Sequence, residues 1–286
     1  VIVKNRCKLS YKNDYMLITS DGNEKTLHIS EIGTLIIENT AVNLTAYLLC
    51  KLSRYKVKVI FCDHQRNPYG EIIPYYGSHN ASKQMSKQSQ WSQSTKNSLW
   101  KTIVTQKIIK QAQTIYRETG NSSACEALMN FAANVSPGDL TNREAHAAKL
   151  YFKELFGPKF SRDSSNDINA ALNYGYAILL SAFNREITAA GYSTTIGVNH
   201  CNEYNPFNLT CDLMESFRPI VDSEVYKCRN FAFDDFFKSR LIEILNHKVV
   251  ILGKEQFLSN AISIYVKLFF RTMETGDDEL PEYELI

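Results

Sequence analysis

The strongest constraint on the fold is a change in hydrophobic period partway along the chain. Over residues 1–76, short runs such as YMLIT, TLHIS, TLIIEN and VKVIFCD alternate with turn residues, a pattern that predicts β-strands. One segment, TAVNLTAYLLCKLSRYK, instead repeats leucine at Leu44, Leu48 and Leu52. This spacing predicts one helix, which Thr40 could cap. The first part of the chain is therefore predicted to be a small β-rich, sandwich-like domain that carries one helix.

Beyond residue 98 the period becomes that of an α-helix. Five residues recur along one helical stripe, followed by a glycine stop at Gly120: Trp100, Val104, Ile108, Ala112 and Ile115. Further helices are predicted at residues 123–135, 142–155, 167–190, 209–217, 220–228, 234–246 and 260–275. Between the two patterns, residues 77–98 are rich in Ser, Gln, Asn and Lys, which is typical of a linker. The prediction is an α+β protein with a β-rich domain over 1–76, a linker over 77–98 and a larger all-α domain over 99–286.

Composition excludes several classes of protein. With 286 residues, of which 44% are hydrophobic and 22% charged, the chain can bury a core without disulfide support. No apolar run approaches the roughly 18 residues that span a bilayer, and the opening VIVKNRCKLSYKN lacks the apolar segment of a signal peptide. The seven cysteines are scattered without a C-x-x-C pair, which fits reduced thiols and not a four-thiolate zinc site. We therefore expect a cytoplasmic protein.

Charge is unevenly distributed along the chain. No acidic residue lies between Glu71 and Glu118, and the interval contains a basic tract of Lys83, Lys87, Lys96, Lys101, Lys107, Lys110 and Arg117. The C-terminal end is acidic instead, with Glu274, Asp277, Asp278, Glu279, Glu282 and Glu284. Because non-specific contact with phosphate is mainly electrostatic, the basic tract favours a surface that faces nucleic acid. A solvated helix face is the alternative interpretation.

Glu144 has two interpretations that the local sequence leaves open. Thr141 and Glu144 have the spacing of a capping box, in which the glutamate bonds back to the backbone. Glu144 also shares a helical face with Tyr151 and Leu155, and a carboxylate turned toward a packed face needs an ion partner or a metal. His146 projects to the opposite side of the helix and is predicted to lie at the surface.

A second group of chemically active residues follows a break in the helices. His200 lies in a loop, and Asp212 and Glu215 follow three residues apart on one predicted helical face. Two carboxylates this close need a cation, which is either Arg218 or a divalent metal. Two carboxylates and one imidazole from separate elements form a donor set that suits Mg²⁺ or Mn²⁺. Such a site could activate a water or a 3′-hydroxyl for attack on a phosphodiester.

Other common site motifs do not occur. The sequence contains no G-x-x-x-x-G-K-[ST] loop, no G-x-S-x-G elbow and no G-x-G-x-x-G fingerprint. This argues against a nucleoside triphosphate site, a serine hydrolase and a dinucleotide enzyme.

The sequence around these positions resembles a known family, the CRISPR-associated integrase and endonuclease that captures new spacers, in the form found in type II systems. The resemblance rests on NREAHAAKLYFKELFG, DINAALNYGYAILL, AGYSTTIGVNH and DLMESFRPIVD. It implies that Glu144, His200 and Glu215 are catalytic metal ligands, with Asp212 as a supporting acid and Mg²⁺ or Mn²⁺ as cofactor. Ser216 departs from the family pattern, in which proline is expected; the difference affects helix geometry and not ligation.

The resemblance also implies what the protein acts on. A 3′-hydroxyl of protospacer DNA would attack a phosphodiester at the edge of a CRISPR repeat, with no covalent enzyme intermediate. The β-rich domain would form a homodimer, and a small ferredoxin-like adaptation subunit would complete a larger assembly in the bacterial cytoplasm. Candidate contacts to double-stranded DNA are Lys83, Lys87, Lys96, Lys101, Arg143, Lys149 and Arg218. Two alternatives remain: a catalytically silent DNA-binding scaffold, and a metal-dependent hydrolase with another substrate.

Overall fold

The chain divides into two units, Val1–His79 and Asn80–Ile286. The computed structural model describes residues 1–74, 78, 80–276 and 280–285, with the Leu285 side chain excepted. The first unit is rich in strands and the second is mainly helical, so the predicted α+β class is confirmed. Across the described ranges, no helix is long and apolar enough to cross a bilayer.

The first unit consists of two four-stranded sheets and one helix. Its elements are β1 (Ile2–Val3), β2 (Lys8–Lys12), β3 (Tyr15–Ser20), β4 (Asn23–His28), β5 (Thr34–Ile37), β6 (Asn43–Leu44), α1 (Ala46–Arg54), β7 (Lys58–Cys62) and β8 (Pro68–Glu71). One sheet has the order β4-β3-β2-β6 and the other β1-β5-β7-β8. In the second sheet β1, β5 and β7 run parallel, and β8 is antiparallel to β7.

A single hydrophobic cluster joins both sheets to the helix. It contains Leu9 from β2, Leu35 from β5 and Leu48 from α1, none of which is exposed. The helix begins later than predicted because residues 43–44 pair with β2 as a strand. The cap is therefore Thr45, whose hydroxyl accepts from the Leu48 N–H at 3.3 Å, and not Thr40.

The second unit begins at Asn80, inside residues 77–98, which were predicted to be a linker. That prediction is wrong, because one helix and the start of another lie in this segment. The elements are α2 (Ala81–Ser89), α3 (Gln93–Thr119), α4 (Ser122–Ala133), α5 (Arg143–Phe156), α6 (Asp167–Ala189), α7 (Asn208–Met214), α8 (Arg218–Cys228), α9 (Asp235–Glu243), β9 (Lys248–Ile251), β10 (Lys254–Phe257), α10 (Leu258–Thr275) and β11 (Tyr283–Leu285). Residues 81–89 are polar because they form a helix in which one side chain, Gln88, is buried. Residues 77 and 79 lie outside the described ranges.

Helix α3 lies at the centre of this unit. The predicted stripe from Trp100 to Ile115 is buried, and Gly120 ends the helix in the left-handed conformation at φ 70°. Polar residues on other faces of α3 are buried as well, among them Lys107 and Lys110. The basic tract is therefore not one continuous surface, because two of its lysines point into the protein.

The second unit is not all-helical, which corrects that part of the prediction. Strands β10, β9 and β11 form a three-stranded antiparallel sheet, with Leu252 and Gly253 at positive φ in the turn between β9 and β10. The end of the chain thus packs as a strand. Tyr283 is 2% exposed, stacks on Phe217 at 4.6 Å and donates its hydroxyl to the Ser216 carbonyl at 2.9 Å. Residues 277–279 of the acidic end lie outside the described ranges.

Candidate active site

Glu144 lies in the first turn of α5, and the capping box, one of the two interpretations left open by the sequence, does not form. The Asp139 carboxylate accepts instead from the backbone N–H groups of Arg143 at 2.8 Å and Glu144 at 2.9 Å. Since an upstream acid already satisfies these helix-start donors, the Glu144 side chain is not needed as a cap. It turns toward α3, with 26% of the side chain exposed. His146 is exposed, as predicted.

The cation beside Glu144 is Lys107, from the middle of α3. Its Nζ lies 2.6 Å from Glu144 Oε1 and 2.6 Å from Glu215 Oε2, and its side chain is 10% exposed. Burial alone would lower the pKa of Lys107, but the charges of Glu215 and Glu144 outweigh burial and raise it. The ammonium is therefore charged and holds the two carboxylates together. Sequence analysis placed Lys107 in a nucleic-acid surface and missed this role.

Glu215 lies in a short 3₁₀ turn, Glu215–Phe217, between α7 and α8. Its side chain is 5% exposed, and Arg218 Nε lies 3.0 Å from its second oxygen. Burial would raise the pKa of Glu215, but Arg218 and Lys107 lower it, so the group is a carboxylate. The Arg218 guanidinium also lies over the Tyr176 ring, 4.5 Å from its centroid. The sequence predicted Arg218 or a divalent metal beside Asp212 and Glu215; Arg218 does pair with Glu215, and Lys107 contacts the same carboxylate.

Asp212 has different partners from Glu215, although the two are three residues apart. Its side chain is fully buried, and its Oδ2 accepts from the backbone N–H groups of Val198 at 2.6 Å and Asn199 at 3.0 Å. Its Oδ1 accepts from the His200 N–H at 3.1 Å and lies 2.6 Å from His200 Nδ1. Because four contacts use the lone pairs of both oxygens, Asp212 supports the loop and is not free to ligate a metal.

His200 receives its orientation from Asp212. With Nδ1–H held by the carboxylate, Nε2 carries the lone pair that can bind a metal, an arrangement common to metal-binding histidines. The hydrogen bond to Asp212 raises the pKa of His200, burial opposes the shift, and the charges of Asp212, Glu215 and Glu144 add to it. An edge-to-face contact with Trp100, at 5.8 Å between ring centroids, also restrains the ring.

Two residues that sequence analysis missed, Gly197 and Gln88, hold the loop that carries His200 in place. A Cβ on Gly197 would lie 2.3 Å from the His200 carbonyl oxygen and 2.7 Å from Asp212 Oδ2, so only glycine allows the loop to approach Asp212 this closely. Gln88 of α2 is fully buried. It donates to the carbonyls of Ser193 and Ile196 at 2.8 and 2.9 Å and accepts from the Ser193 N–H at 2.8 Å.

The site fits a divalent cation by its donor chemistry. Glu144 and Glu215 already hold a cation between them, both through hard oxygen atoms, and His200 offers one ring nitrogen. Oxygen donors with one imidazole suit Mg²⁺ or Mn²⁺. In this structure the Lys107 ammonium lies between the two carboxylates. Among the described residues, no cluster of three His, Cys, Asp or Glu side chains that could hold a metal is formed.

A cavity of about 690 Å³ opens beside His200. Lys96 lines it, together with the loop from Thr195 to Asn208, in which Tyr204 is 86% exposed. The cavity places a lysine, an exposed aromatic ring and the histidine on one concave surface. In nucleic-acid-binding proteins, lysines contact phosphates and exposed aromatic rings stack on bases.

The remaining basic candidates occupy different environments. Lys83, Lys101 and Lys149 are exposed, whereas Lys87 is paired with Glu274 at 2.8 Å. Arg143 is half-buried, with its guanidinium 6.0 Å from the centroid of the Phe131 ring.

Comparison with known proteins gives the family. The family model described as "CRISPR associated protein Cas1" matches residues 1–240. A CRISPR-associated endonuclease Cas1 from Neisseria meningitidis is 41% identical over 225 residues, which cover 79% of this chain and 74% of the relative.

Two solved structures share the fold. A casposase bound to its integration product has a TM-score of 0.76 at 18% identity, covering 98% of this chain and 92% of the casposase chain. A Cas6-RT-Cas1–Cas2 complex has a TM-score of 0.75 at 17% identity, covering 97% of this chain and 35% of the longer neighbour. The family match over residues 1–240 and the close relative decide the assignment: the chain belongs to the Cas1 family of CRISPR-associated proteins.

Proposed function

We propose that this protein is a divalent-metal-dependent DNA integrase and endonuclease of CRISPR adaptation. The observation that carries the proposal is the convergence of Glu144, Glu215 and His200 from three separate parts of the chain, with a cation already held between the carboxylates. The relative from Neisseria meningitidis is named an endonuclease, and the casposase neighbour is bound to an integration product. Both names support phosphodiester chemistry.

In this proposal the residues that would hold Mg²⁺ or Mn²⁺ are Glu144 and Glu215, which offer oxygen, and His200, which offers Nε2. The bound metal would supply charge stabilisation at the phosphodiester and activation of the attacking 3′-hydroxyl or water. Asp212 keeps the His200 proton on Nδ1, and Arg218 holds Glu215 in its carboxylate form. Trp100 and the fully buried Asp212 both contact the imidazole, so its orientation is set before substrate arrives.

The proposed substrates are protospacer DNA and the CRISPR repeat, both double-stranded. Lys96 in the cavity beside His200, with the exposed Lys83, Lys101 and Lys149, would contact phosphates. We also propose a homodimer formed through the β-rich domain and a complex with a small ferredoxin-like subunit. The complex named for Cas1 and Cas2 among the structural neighbours supports such a partner.

The test is strand transfer into a repeat-bearing duplex with Mn²⁺, using Glu144→Ala, His200→Ala and Glu215→Ala. Each variant should lose transfer while keeping most of its affinity for duplex DNA. Glu126→Gln, an exposed acid on α4, is the matched control and should retain activity. Normal transfer by all three alanine variants would refute the proposal.

A catalytically silent scaffold is the second candidate, and one observation favours it. Lys107 already pairs with both carboxylates, which is the arrangement expected if their role is purely structural. A scaffold predicts that Mn²⁺ leaves the melting temperature unchanged and that no metal supports cleavage. A rise in melting temperature with Mn²⁺ that disappears in Glu215→Ala would exclude it, because only a ligand of the native state stabilises in this way.

A further inference from the structure

Lys107 is a buried charge that the proposed chemistry does not use. It projects from a helix whose neighbouring positions, Val104 and Ile108, are fully buried, and its ammonium contacts one oxygen each of Glu144 and Glu215 at 2.6 Å. A lysine in such a position needs both anions, because an unpaired buried charge is strongly destabilising. The carboxylates need the lysine for the same reason, although Glu215 is also paired with Arg218.

A divalent cation would bind the same two carboxylates. Mg²⁺ binds carboxylate oxygens at about 2.0–2.1 Å, which is closer than an ammonium donor can approach. An ammonium and a divalent ion held between these two carboxylates, about 4 Å apart, would also repel each other strongly. The two cations therefore exclude one another.

We propose that Lys107 is the internal counter-ion of Glu144 and Glu215 in the metal-free protein and that a divalent metal binds by displacing its ammonium. Lys107 is then a positioning residue: it keeps the two carboxylates together before metal arrives and sets how tightly metal is held. The inference rests on the proposed metal site. It concerns binding, so it is tested without reference to catalysis.

The first experiment measures Mn²⁺ binding by isothermal titration calorimetry in Lys107→Met, which keeps an unbranched side chain one atom shorter and removes its charge. The dissociation constant should fall about tenfold or more, since no charge must be displaced. Metal-free Lys107→Met should melt at a lower temperature than wild type, and Mn²⁺ should raise its melting temperature by more than it raises that of wild type. Lys107→Arg retains the charge and should bind Mn²⁺ no more tightly than wild type.

Lys110→Met is the matched control, because Lys110 is similarly buried on the same helix but lies over the Tyr283 ring at 5.0 Å. Its Mn²⁺ affinity should equal that of wild type. Unchanged or weaker Mn²⁺ binding in folded Lys107→Met would overturn the proposal.

A second experiment uses the wild-type protein and does not depend on the variant folding. An amine-reactive ester is applied with and without Mg²⁺, and modification of each lysine is read by mass spectrometry. Labelling of Lys107 should rise several-fold with Mg²⁺ while labelling of Lys110 stays constant. No rise at Lys107 at a saturating Mg²⁺ concentration would refute displacement. Strand transfer by the wild-type protein would be unaffected by that result, so the two proposals can fail separately.

Discussion

The contacts of Asp212 allow the consequence of one substitution, Asp212→Asn, to be worked out in detail. Asparagine has the same shape, but one of its two terminal atoms donates where both aspartate oxygens accept. If the amide nitrogen takes the Oδ2 position, it faces the N–H groups of Val198 and Asn199. If it takes the Oδ1 position, it faces the His200 N–H, and Nδ1 must accept in place of donating.

Both orientations are costly. A buried donor left without an acceptor costs about 1–3 kcal/mol, so the first orientation destabilises by about 2–6 kcal/mol for its two N–H groups. The second leaves one N–H unpaired, removes a charge-assisted hydrogen bond and moves the imidazole proton to Nε2. We therefore expect the free energy of unfolding to fall by about 3 kcal/mol or more. Mn²⁺ affinity should fall about 10- to 100-fold, as for other residues that orient a metal-binding histidine.

Urea denaturation followed by circular dichroism measures the first effect, and calorimetric titration with Mn²⁺ measures the second. Glu203→Gln removes an exposed negative charge from the same loop and should change neither. If Asp212→Asn unfolds at the wild-type urea concentration and binds Mn²⁺ with wild-type affinity, the role assigned to Asp212 is wrong.

Three further substitutions test other parts of the structure. Gly197→Ala places a Cβ 2.3 Å from the His200 carbonyl oxygen and should lower unfolding free energy by about 2 kcal/mol or more, as urea denaturation would detect. Burial raises the pKa of Asp222 to about 6 from 3.8. The contribution of Asp222 to wild-type stability should therefore be greatest below about pH 4 and fall as pH rises toward about 6, by about 3 kcal/mol. Asp222→Asn should remove this dependence, and parallel pH–stability curves for both proteins would contradict it. Tyr283→Phe removes the 2.9 Å bond to the Ser216 carbonyl and should cost about 1 kcal/mol, whereas an unchanged melting temperature would argue against docking of the C-terminal strand.

Periodicity predicted most of the helical unit because its apolar stripes are long. The stripe from Trp100 to Ile115 is buried as expected, and Glu144 does turn inward as its helical face indicated. The hairpin β9–β10 was missed, although two short apolar-containing runs flank Leu252-Gly253, a two-residue turn of the kind that joins antiparallel strands. The final strand, Tyr283–Leu285, has only three residues, one of them a glutamate, and no strong propensity of its own, so its tertiary contacts decide its structure.

The site itself was less predictable from sequence. The distribution of charge does not show which way a lysine points on a helix that is buried on several faces. Lys107 was therefore assigned to the basic tract that was predicted to face nucleic acid. The capping-box interpretation of Glu144 was wrong for a related reason. Asp139 lies outside the four-residue window that defines the motif, yet its carboxylate accepts from the backbone N–H groups of Arg143 and Glu144. Gln88 was assigned to a linker because polarity was taken as exposure, while each of its polar contacts is satisfied internally.

The loop that carries His200 is closed at its base independently of its tip. Thr194 accepts from the Leu209 N–H at 2.9 Å and donates its hydroxyl to the Pro206 carbonyl at 2.8 Å, so the two ends of the loop are fastened together. The closure entropy of a loop grows only slowly with its length, by about 0.6 kcal/mol per doubling. Residues 203–205, which are not among the Asp212 contacts, can therefore differ in number among relatives without moving the histidine. A change in the length of this tip would therefore reshape the cavity beside His200 while Glu144, His200 and Glu215 stay in place.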